Sequence, residues 1–138
     1  MRVLAAVMIL LASQAASAAT PNCSVPFERP RPLVEVPATP AGPRVLLEQL
    51  NTRARHAGFE LDQAEWSKGY LTYLKRDAKK TYRAIVWIVP SFERQGAYEI
   101  FVMSCVLANG FPDRCDEAAT EQPFAQLRQE VRAYAGLP

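Results

Sequence analysis

Two of the three cysteines, Cys105 and Cys115, stand ten positions apart across a stretch holding Asn109-Gly110 and Pro112, residues that let a chain double back. In an oxidising compartment this pair is expected to close a structural disulfide worth about 2–3 kcal/mol in the chain-entropy model. Cys23 is the rival partner. If Cys105 instead faces the core beside Phe101 and Met103, it is an ordinary buried thiol. His56 is the sole histidine, so no histidine-based metal cluster can be assembled. A Cys–His nucleophile pair needs a proximity that nothing in the spacing supplies. Asp113, Asp116 and Glu117 gather ahead of the last predicted helix, but their spacing misses the EF-hand pattern and suits capping and solubility. Neither a glycine-rich phosphate loop nor a CxxC or GxSxG motif occurs. No cofactor or metal is expected, and the chain reads as a non-enzymatic protein.

What remains is the chemistry of recognition. Lys75, Arg76, Lys79, Lys80 and Arg83 gather around one turn, a basic tip on a chain of formal net charge +2. These five residues are the candidate partner surface, suited to an acidic protein surface or to lipid head groups. The plainer reading is a charged tip that guards a hairpin against edge pairing. Tyr70, Tyr73, Tyr82, Trp87 and Tyr98 all fall on predicted strands. Core packing and cross-strand pairs account for most of them. A sheet face left partly open would add tyrosine beside basic residues, a composition that interfaces favour.

The elements that position these residues follow from periodicity. Leu47, Leu50, Ala54 and Ala57 predict a helix entered at Pro43 and stopped at Gly58-Phe59. Tyr70 to Leu74, Tyr82 to Val89 and Ala97 to Leu107 read as strands, and Phe59 to Asp62 allows a brief fourth. The short polar connections between them predict an antiparallel meander. Phe124, Leu127, Val131 and Tyr134 predict a closing helix, with Thr120 as N-cap, Pro123 in the first turn and Gly136-Leu137 as the stop. The expected fold is a small α+β domain, an antiparallel three- to four-stranded meander flanked by two helices in α-β-β-β-α order. That order resembles the double-stranded-RNA-binding domain in outline, without its basic loop motif.

Arg2, the apolar run from Val3 to Ala12 and the small residues Ala16-Ser17-Ala18 have the three-part layout of a secretory signal peptide, with cleavage expected after Ala18. The apolar run is too short to span a bilayer, and no second run approaches that length. Residues 19–43 form a proline-rich extended arm carrying seven of the eleven prolines, and residues 44–138 form the domain. Leu33, Val34 and Val36 of the arm are expected to be covered. After cleavage the charge is nearly balanced, which gives no field for steering toward nucleic acid. Abundant alanine, with arginine outnumbering lysine 12 to 4, reads as a GC-rich bacterial genome, hence a periplasmic or secreted protein. The expected function is binding to another protein of the envelope, as an inhibitor, an immunity protein or an accessory subunit. A small-molecule or lipid-binding module is the rival reading.

Overall fold

The computed structural model describes residues 31–108, 111–114 and 120–138. The first element among the described residues is a strand, β1 (Val34–Pro37), inside the stretch expected to be an arm. Val34 and Val36 alternate with Glu35 and Pro37, and the two valines are buried as expected. β1 pairs with one neighbour only, so it is an edge, where proline is tolerated because no second partner needs its N–H.

Pro43 then opens the first helix, α1 (Pro43–His56), where its missing N–H costs no helical bond. Leu46, Leu47, Leu50 and Ala54 are its buried stripe. Gly58 stops it at φ +90°, donating its N–H to the Arg55 carbonyl, while the Phe59 N–H reaches back to Ala54 at 3.0 Å.

Four strands follow as a meander: β2 (Glu60–Glu65), β3 (Tyr70–Arg76), β4 (Thr81–Pro90) and β5 (Ala97–Ala108), each antiparallel to the next. A short strand, β6 (Phe111–Arg114), returns against the end of β5. The sheet order is β1-β5-β4-β3-β2, with β6 pairing β5 off this path. The α+β class and the antiparallel sheet stand, but five strands lie along that path where three to four were expected. The order is also not α-β-β-β-α, because β1 precedes α1, and the outline likeness to the RNA-binding domain goes with it. The β2–β3 turn depends on Gly69, whose φ is +80° and where an added Cβ would lie 2.8 Å from the Ile88 carbonyl oxygen.

A single 3₁₀ turn (Gln122–Phe124) leads into the closing helix, α2 (Ala125–Tyr134). Leu127 and Val131 are its buried residues, and Gly136 and Leu137 repeat the stop seen after α1. Thr120 does not cap α2. The N-cap is Phe124, without a side-chain bond, and Thr120 is fully buried, its hydroxyl accepting from Ser104 at 3.2 Å.

Both helices cover one face of the sheet. Leu71 and Tyr73 of β3, Ala84, Val86 and Ile88 of β4, and Ile100 and Val102 of β5 meet α1, α2 and Phe124 in one core. The helices join each other through the Tyr134 hydroxyl, which donates to Gln49 Oε1 at 2.6 Å, and through Arg53 and Glu130 at 3.5 Å.

Candidate functional site

The strand alternation that fills the core sends every second residue to the opposite face. Tyr70, Thr72 and Leu74 of β3 then lie opposite Trp87, Ile85 and Arg83 of β4, which in turn lie opposite Phe101, Met103 and Cys105 of β5. No described helix packs on this face. Trp87 remains 41% exposed and Met103 37%, while Phe101 is buried against Trp87 with ring centroids 6.3 Å apart. Phe92, in the β4–β5 connection, is 88% exposed. The aromatic residues picked out in the sequence therefore divide. Tyr73, Tyr82 and Tyr98 serve the core, and Trp87 with Tyr70 belongs to the second face.

The basic tip divides as well. Lys75, Arg76, Lys79 and Lys80 do surround the β3–β4 turn, and all four are exposed. Asp77 holds the turn in shape, its Oδ1 accepting the N–H groups of Lys79 at 2.8 Å and Lys80 at 2.7 Å. Those two bonds, with smaller help from Tyr82 and Lys80, hold its carboxyl below the usual range. Among the described residues none of the four tip cations forms an ion pair within 4 Å. Arg83 is not part of the tip. It lies on the second face, where its Nη2 meets Asp62 Oδ2 at 3.2 Å and the Thr72 hydroxyl donates to the same oxygen at 3.1 Å. Alternation sends Arg83 there, and Asp62 at the irregular step in the β2–β3 pairing supplies its partner.

The residues considered for catalysis are not brought together. His56 is exposed near the end of α1, its Nδ1 3.1 Å from the Thr52 carbonyl oxygen. Cys105 lies on the sheet face turned away from that helix. Its side chain is buried, and burial pushes the thiol pKa up and so disfavours the reactive thiolate, against a smaller opposing pull from Arg83. Its expected partner Cys115, the rival Cys23, and Asp116 and Glu117 lie outside the described residues, as does the signal sequence. Among the described residues no three metal-ligating side chains converge, and no helix is long and apolar enough to cross a membrane.

Phe92, Trp87 and Met103 are the exposed residues that sequence reasoning did not single out as a group. A signal existed: β4 is apolar on both alternating faces, and the two amphipathic helices among the described residues cover one of them. Comparison with protein-family models and with curated proteins gives no match.

Proposed function

We propose that this chain is an exported bacterial envelope protein that works by binding another protein, as an inhibitor, an immunity protein or an accessory subunit of an envelope assembly. The observation that carries the reading is the exposed Trp87–Met103 patch on the sheet face that no described helix covers. Aromatic residues and methionine are enriched at interface cores, and a rigid strand presents them at low entropic cost. Export rests on the layout of residues 1–18 and calls for an oxidising compartment. A Cys105–Cys115 disulfide belongs to the same reading, because export exposes both thiols to an oxidising compartment and Asn109-Gly110 with Pro112 let the chain double back between them.

The test is affinity capture from a periplasmic extract with the wild-type protein and with a Trp87→Ala/Met103→Ala variant. The reading predicts a discrete partner retained by the first and lost by the second. A partner held equally by both would place the binding surface elsewhere.

A further inference from the structure

Between the β3–β4 hairpin and the 3₁₀ turn that leads into α2 runs an open cleft of about 460 Å³, lined by Lys75, Arg76, Asp77, Tyr82, Gln122 and Pro123. We propose that this cleft binds an acidic peptide segment of a partner protein, with its carboxylates held by the tip cations. The volume falls within the range of ligand sites, about 300–1,000 Å³. The lining is mixed: two cations, one carboxylate, an amide and a phenol beside the rings of Tyr82 and Pro123.

Charge is the strongest argument for an anionic ligand. Elsewhere among the described residues five arginines, on both helices, on the β4–β5 connection and on the second sheet face, carry carboxylate partners. The tip collects four without one among the described residues. Its single acid, Asp77, already accepts two backbone N–H groups and a bond from the Tyr82 hydroxyl. Lys75 is also positioned, its ammonium 5.5 Å above the Phe59 ring, which steadies the head group at the cleft. Gln122 brings an amide that can donate to a carboxylate or accept from a peptide N–H.

A membrane surface fits less well. Among the described residues the large exposed apolar side chains, Trp87, Phe92, Met103 and Leu137, belong to other parts of the fold, and the large side chains of the tip itself are polar or charged. A concave site with an amide and a phenol suits single carboxylates on an extended chain. This inference goes beyond the function proposed above and rests on a different surface, so either can fail alone.

The experiment is a ¹⁵N NMR titration of the protein with an N-acetylated, C-amidated peptide of alternating glutamate and alanine. The same peptide with glutamine for glutamate and phosphatidylglycerol vesicles are run in parallel. The expected result is saturable shifts at Lys75, Arg76, Lys79, Lys80 and Gln122 with the glutamate peptide alone. Raising NaCl from about 50 to 500 mM should weaken binding at least about tenfold, as exposed charge contacts are screened. Lys79→Glu/Lys80→Glu, at exposed side chains, should keep the fold and lower affinity about tenfold or more, while Lys68→Ala, at an exposed cation of the β2–β3 turn, should leave it unchanged. Equal binding of the glutamine peptide, equal binding by the charge-reversed variant, or shifts caused by vesicles and not by the peptide would each overturn the proposal.

Discussion

Tyr73 joins the sheet to α1, and removing its hydroxyl has two separable consequences. The side chain is 1% exposed in the core, and its hydroxyl donates to Asn51 Oδ1 at 2.9 Å. A neutral hydrogen bond of this kind contributes about 0.5–1.5 kcal/mol net. Asn51 is only half-buried and can turn to water, so Tyr73→Phe should cost about 1 kcal/mol at neutral pH. For a domain of this size that is a fall in Tm of about 4–8 °C. The pH dependence carries the sharper test. Burial raises the Tyr73 pKa well above the usual value for a phenol, against a smaller opposing pull from Arg55. The folded state therefore keeps a proton that the unfolded chain releases above pH about 10. This contribution is complete below the unfolded pKa and is lost as pH rises beyond it, at up to about 1.4 kcal/mol per pH unit. The variant lacks that loss. Urea unfolding at pH 7, 9, 10, 11 and 11.5 should show the wild type ahead by about 1 kcal/mol at first, with the two curves meeting near pH about 11. Parallel curves across the whole range would refute the buried, protonated phenol.

Three further outcomes are expected. Gly69→Ala forces a side chain into a left-handed position and onto the Ile88 carbonyl, and should destabilise by about 2 kcal/mol or more in thermal or urea unfolding, whereas Gly96→Ala, with open space around it, should cost less. Non-reducing peptide mapping of the exported protein should yield a Cys105–Cys115 linked fragment, with Cys23 free to react with a thiol label; a fragment containing Cys23 in the bond would reverse the assignment. N-terminal sequencing of the periplasmic form should begin at Ala19 or Thr20, and an intact Met1 in the membrane fraction would refute cleavage.

Where local signals were complete, the sequence was readable to the residue. Gly58-Phe59 and Gly136-Leu137 each state a helix stop, and at each the two N–H groups return to carbonyls of the last turn. The β2–β5 meander followed from alternation and short turns. β1 was hidden because its two valines sit among prolines, and only pairing with β5, some sixty residues later, makes them a strand. β6 was hidden by Pro112 and the absence of alternation, although Asn109-Gly110 just before it is a common hairpin dipeptide. The candidate site was half legible. Charge density at the tip is local and showed in the sequence. The removal of Arg83 from that tip depends on Asp62, and the cleft depends on Gln122 and Pro123, which are distant in the chain. Exposure of Trp87 and Met103 is a property of the whole layer arrangement, so no window of residues could reveal it.

Site-specific photo-crosslinking in living cells tests the central claim most directly. A benzoylphenylalanine placed at Trp87 or at Met103 should yield one discrete heavier adduct on irradiation. The same group at Arg55, exposed on α1 across the sheet, should yield none. Adducts of equal yield from all three positions, or none from Trp87 and Met103 with the protein folded and exported, would contradict the account.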